Sequence, residues 1–191
     1  LARACAVARG AIRIRPVALR DAGLILTRVA GQDDKLIRKG AEAVEARLTA
    51  LGMGLAGVEV VAHDARAIAG ALGRLPGEMA LILTASATSD LMDTAPQGLR
   101  LAGGTVTRFG MPVDPGNLLF HGDLGGRPVI GLPGCARSPA LNGADWVLER
   151  LAFGVAVTAD DIAQMGVGGL LKEIPLRPQL REPRKRDGGT P

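Results

Sequence analysis

Ten consecutive residues, Thr84 to Asp93 (TASATSDLMD), carry four hydroxyls and two carboxylates. Around Thr84, Ser86, Thr88 and Ser89 the side chains are small enough for backbone amides to close on a phosphate or a ring edge. Asp90 and Asp93 bring carboxylate oxygens of the kind that hold Mg²⁺. The same run also reads as a polar loop whose Ser, Thr or Asp caps the next helix. Further along, Pro128-Val129-Ile130 gives way to GLPGCARSP, Gly131 to Pro139. Gly131, Leu132, Pro133 and Gly134 form a turn that lets backbone approach a ligand, and Arg137 adds a charge-assisted contact for an anion. Ser138 before Pro139 reads as the cap and first position of a helix, whose free N–H groups attract negative charge. Cys135 is a thiol without an evident base, which is weak ground for a nucleophile. Pro115-Gly116-Asn117 is a turn by composition, and Gly116 there would admit a ligand close to the backbone. Asp64 directly follows an apolar run, as a strand-end ligand residue or as a helix cap. His63 and His121 carry no assignment.

For these groups to meet, the chain must bring several loops to one edge. Gly23–Val29 is a short apolar strand. From Asp34, Ile37, Ala41, Val44, Leu48 and Leu51 step at helical spacing along one face, and Gly52 ends the helix. Val58–His63 reads as a second strand, with Asp64 opening a helix that buries Ile68 and Leu72. Met79–Thr84 is a third, buried strand, and a helix then runs to about Ala102 before Gly103-Gly104. A fourth strand follows in TVTRFGMPV. NLLFHGDLGGRPVIGL reads as a hairpin with Gly125-Gly126 at or beside its turn. The last main helix is expected from Pro139 to Ala152, with Leu141, Ala144, Leu148 and Leu151 inward. This order predicts a three-layer α/β fold: a mainly parallel sheet, helices on both faces and an antiparallel hairpin. Ligands of such sheets collect at the carboxyl ends of the strands. The loops after Val29, His63 and Thr84 belong there, joined by the turn after Leu132 if its strand runs the same way. No Gly-x-Gly-x-x-Gly follows the first strand, where TRVAGQDD stands, which argues against generic dinucleotide binding.

Composition narrows the classes. An apolar content of 47% supports a packed core. With three Phe, one Trp and no Tyr, the chain lacks the stacking surfaces that single-stranded nucleic acid uses. The net charge of +4 is uneven. Residues 1–20 hold five arginines and no acid, whereas residues 21–171 hold 12 basic and 16 acidic groups. Basic charge at the ends rather than on the body argues against a nucleic-acid reader. No apolar run approaches the ~20 residues of a membrane span. Cys5 and Cys135 suggest neither a disulfide framework nor a metal cluster, so a cytoplasmic setting is the default. Leu1 in place of Met reads as a piece of a longer chain, and the proline-rich IPLRPQLREPRKRDGGTP reads as a linker.

Taken in order, VVAHD, TASATSDLMD, VDPGN and GLPGCARSP resemble the molybdopterin-binding domain shared by enzymes of molybdenum-cofactor biosynthesis. The resemblance spans Gly23 to Phe153. FGMPVDPGNLL, GLPGCARSPALNGADWVLERL and MGVGGLL look more narrowly like proteins that couple this domain to a downstream MobA-like nucleotidyltransferase. The resemblance implies a molybdopterin-binding domain over residues 21–172, the end of an upstream segment over 1–20, and a linker over 173–191 toward a C-terminal domain. It implies that molybdopterin, or its nucleotide form, lies across the strand ends, with the terminal phosphate and pterin against Thr84, Ser86, Thr88, Ser89, Asp90, Pro115, Gly116, Asn117, Gly131 to Cys135, Arg137 and Ser138. Asp64 and Asp93 would be the catalytic carboxylates and would bind Mg²⁺. The reaction would be adenylyl transfer to the terminal phosphate or insertion of molybdate into the dithiolene. A homo-oligomer is implied as well. Where the family carries two glycines after the Thr, this chain has Ala85 and Ser86. That departure favours the alternative of a non-catalytic pterin carrier or scaffold serving a fused nucleotidyltransferase.

Overall fold

The computed structural model describes residues 14–166. Cys5, most of MGVGGLL and the linker of residues 173–191 lie outside the described residues. The chain order is β1 (Asp21–Arg28), α1 (Asp34–Ala50), β2 (Gly54–Ala62), α2 (Ala65–Arg74), β3 (Met79–Leu83), α3 (Thr94–Leu101), β4 (Thr105–Phe109), β5 (Phe120–Leu124), β6 (Arg127–Leu132), α4 (Gly143–Ala152) and α5 (Ala159–Gln164). One six-stranded sheet forms in the order β2-β1-β3-β6-β5-β4. β1, β2, β3 and β6 run parallel, and β5 is antiparallel to both β6 and β4. The three-layer architecture expected of the sequence is therefore present, with the hairpin built into the sheet and β4 at its edge.

Alternation along the two central strands divides the core. Leu24, Leu26, Leu81 and Leu83 face one side with Val44 and Leu48 of α1 and Val147 and Leu148 of α4. Ile25, Ala80 and Ile82 face the other with Ile68 and Leu72 of α2 and Leu99 of α3. β3 is buried along its whole length, as a strand covered by helices on both faces must be. Burying each such Leu or Ile contributes about 1.5–3 kcal/mol relative to leaving it in water.

Three expectations need correction. β2 begins at Gly54 rather than Val58, because pairing with Asp21 to Gly23 of β1 extends it through two glycines, and at Gly57 a Cβ would stand 2.9 Å from the Pro76 ring. The stretch after Pro139 is not helical. Gly134–Arg137 forms a single 3₁₀ turn, and α4 starts only at Gly143. There Asn142 and Asp145 make a reciprocal capping box, and Asn142 rather than Ser138 is the cap. Leu141, now in the loop before the helix, is 48% exposed instead of inward.

His121 lies opposite Ile130 on β6 and Arg108 on β4. It is 7% exposed, and its Nδ1 has no hydrogen-bond partner among the described residues. Burial pushes the imidazole below the ordinary histidine value, with the Asp123 carboxylate opposing this in part. The unfolded chain therefore takes up the proton first, and stability is lost as pH falls through about 6.5. Denaturant midpoints measured from pH 7.5 to pH 5 should decline, and His121→Asn should flatten that decline.

Candidate functional site

β4 is antiparallel to β5, which is antiparallel to β6, so β4 shares the direction of the four parallel strands. The loops after β1, β2, β3, β4 and β6 thus open on one edge. From β1 the chain crosses outward to β2, then returns past β1 to β3. The order reverses between β1 and β3, and the crevice at such a reversal is where open α/β sheets bind ligands. The structure brings Thr84–Asp93, Asp64, the Pro115-Gly116-Asn117 turn and the Pro133–Asn142 loop to this same edge.

Within the loop after β3, the polar groups largely hold the loop itself. Thr84 Oγ1 donates to the Ser86 carbonyl at 2.6 Å. Asp93 caps α3, taking Thr94 N–H on Oδ1 and both the N–H and hydroxyl of Ser89 on Oδ2. Burial raises its proton affinity, but these donors outweigh burial and hold the carboxyl below its usual range. Asp90 accepts Met92 N–H at 2.6 Å. Asp64 caps α2, with Oδ1 accepting from Arg66 and Ala67 N–H. Thr88 is buried, whereas Ser86 and Ser89 are exposed.

The GLPGCARSP loop divides its labour. Gly131 is a packing residue: a Cβ there would lie 1.8 Å from the Phe120 ring. Leu132 is in the core. Gly134 faces open space apart from the end of Arg137 and is exposed. Cys135 is half-buried, and burial pushes its thiol up, so at neutral pH it stays protonated and a poor nucleophile. Arg137 reaches back to β3, where its Nη2 donates to the Thr84 carbonyl at 2.5 Å. Its Nε is buried without a partner among the described residues. Burial lowers the guanidinium's proton affinity but leaves it charged, as arginine remains in proteins. The Ser138 carbonyl is engaged by Arg47. In the loop after β4, Gly116 adopts a φ of 128°, and a Cβ there would stand 2.5 Å from Gly143 N. Its close approach is to the start of α4. Asn117 is exposed, and its carbonyl accepts Met111 N–H.

Two residues that organise the edge were not singled out from the sequence. Arg47 of α1 pairs through Nε with Asp145 at 2.6 Å. Its Nη1 donates to the Ala43 and Ala136 carbonyls and its Nη2 to those of Ser138 and Ala140. The one visible signal was a lone arginine among the alanines of AEAVEARLTA. Thr27, fully buried at the end of β1, accepts Ala85 N–H at 2.7 Å and lies 2.9 Å from His63 Nδ1. A polar residue closing an apolar strand was its only mark.

A magnesium ion held by protein alone does not fit here. Both Asp93 oxygens are engaged, and among the described residues no three His, Cys, Asp or Glu side chains gather as a metal site. A cavity of about 270 Å³ between α1 and α4 is lined by Ala43, Ala46, Ala50, Leu141 and Leu148. It lies behind the loop, and its one cation, Arg47, has every donor committed. No helix among the described residues is long and apolar enough to cross a membrane.

Replacing Arg47 by Lys removes the planar fork while keeping the charge. Loop carbonyls then lose donors, and denaturant unfolding should show a loss of about 1–3 kcal/mol.

No protein-family model matches the chain, and no curated protein matches it. Among solved structures, the molybdopterin biosynthesis MoeA protein from Pyrococcus horikosii is similar with a TM-score of 0.45 and 20% identity. That match covers 60% of this chain and 30% of the other.

Proposed function

We propose that this domain binds molybdopterin, with the pterin and terminal phosphate across the carboxyl ends of β1, β3, β4 and β6, in molybdenum-cofactor biosynthesis. The observation that carries the reading is Arg137. A half-buried guanidinium tied by one bond to the Thr84 carbonyl, with a buried Nε donor unmatched by protein, is costly to leave so. An anionic ligand at the loop relieves that cost. Gly134 leaves the space open beside it, and the ordered motifs of the sequence point to the same ligand.

Asp93 favours the carrier form of this reading. Its carboxylate is occupied in holding its own loop and capping α3, and Asp64 is a cap as well. We therefore read the domain as a module that holds the pterin for a fused or associated nucleotidyltransferase, and assign no chemical step to either aspartate. Oligomer formation and a cytoplasmic setting belong to the same proposal.

Anaerobic calorimetric titration of molybdopterin should give a micromolar or tighter Kd. Arg137→Ala should weaken it about tenfold to a hundredfold, the loss of one charge-assisted contact, and Gly134→Val should weaken it by filling the open space. Absence of binding to the wild-type chain would overturn the reading. Asp93→Asn should lower stability by about 1 kcal/mol through the cap and leave the affinity unchanged. If the wild-type chain transfers adenylyl groups or molybdate and that substitution abolishes transfer, the carrier form fails.

A further inference from the structure

His63, Thr27 and Ala85 stand at the ends of three adjacent strands, β2, β1 and β3. Thr27 Oγ1 accepts the Ala85 N–H at 2.7 Å and lies 2.9 Å from His63 Nδ1. A hydroxyl has one proton to donate. Because Thr27 is fully buried, that proton requires a protein acceptor. Ala85 N–H is itself a donor, so the acceptor among the described residues is His63 Nδ1.

We infer that the Thr27 hydroxyl, donating to Nδ1, fixes the His63 ring as its Nε2–H tautomer, and that this N–H is a hydrogen-bond donor to the phosphate of the ligand. Nε2 makes no hydrogen bond to a described residue, and the ring is only partly buried. The second half of the inference rests on the reading that an anion binds at this edge. The same geometry turns the Ala85 N–H inward to Thr27, which removes it from the donors that the loop after β3 offers a ligand. The imidazole Nε2–H, one strand away from Thr27, supplies a replacement. Thr27 acts through the ring and is a positioning residue, whereas His63 is the ligand contact.

The chain has two histidines, so selective ¹⁵N labelling of histidine resolves both rings. In the full chain without ligand at pH 8, long-range ¹H–¹⁵N spectra should show His63 with Nε2 protonated and Nδ1 bare. Thr27→Val should mix the two tautomers, and Thr27→Ser should restore the single one. With arginine ¹⁵N-labelled as well, titration with inorganic phosphate should shift both the His63 Nε2 signal and the Arg137 Nε signal. His63→Ala should weaken phosphate binding by about threefold to tenfold, the worth of one neutral hydrogen bond. A wild-type ring protonated at Nδ1 overturns the inference, as does a Thr27→Ser chain that leaves the tautomers mixed. Phosphate shifts at Arg137 with none at His63 overturn it and leave the proposed site standing. No phosphate shift at either residue overturns the site and the inference together.

Discussion

Arg47 commits its guanidinium N–H groups to a carboxylate and four carbonyls, and the edge that carries the candidate site takes its shape from that arrangement. The loop between β6 and α4 has almost no regular backbone pairing, yet its carbonyls at Ala136, Ser138 and Ala140 are drawn toward the protein. Unpaired, each would carry a desolvation cost of about 1–3 kcal/mol. One planar fork from α1 satisfies all three, while its Nε pairs with Asp145. Asp145 in turn closes the capping box on Asn142. Helix α1, the loop and helix α4 are thereby fixed to one another. With Ala136 held toward Arg47, the next side chain, Arg137, extends to Thr84 at the end of β3. Removing either buried partner would strand a charge, which costs more than the pair itself contributes.

Much of the frame was legible because it follows from apolar spacing. The stripe Ile37, Val44, Leu48 of α1 and the wholly apolar MALIL of β3 are set by burial alone, and Asp64 before Ile68 and Leu72 is a local capping signal. The misplaced start of α4 has a physical cause. Ser138-Pro139 and Asn142-Gly143-Ala144-Asp145 are both good helix openings on local grounds. The choice between them was made by Arg47, about 90 residues away in sequence, which binds the Ser138 and Ala140 carbonyls and so prevents the earlier start. Thr27 was unreadable for the same reason. Its role depends on which loops a parallel sheet places beside β1, and hydrophobic period does not encode that. Short α5, with Thr158 and Asp161 as its capping box, was missed because six residues give too little periodicity.

The site residues named from motifs divide by what they touch. Gly131, Leu132 and Gly116 serve packing; Thr84, Asp90, Asp93 and Asp64 serve the backbone of their own loops and helices. What the protein leaves unmatched is the exposed hydroxyl of Ser86, the imidazole Nε2 of His63 and the buried Nε of Arg137, with Gly134 exposed beside them. That set is rich in donors. On the proposed reading, these donors hold the ligand's anion in a fixed orientation. Ala85 N–H is not among these donors, since it points into the sheet toward Thr27.

The central claim is that the unmatched Arg137 donor at the end of β3 exists for the ligand's phosphate. A crystal structure of the chain grown anaerobically with molybdopterin tests it most directly. The account predicts the terminal phosphate within hydrogen-bond distance of Arg137 Nε, about 2.7–2.9 Å, with the pterin lying along the loops after β3 and β4. A ligand seated in the apolar groove between α1 and α4, or a phosphate bound away from Arg137, would contradict it.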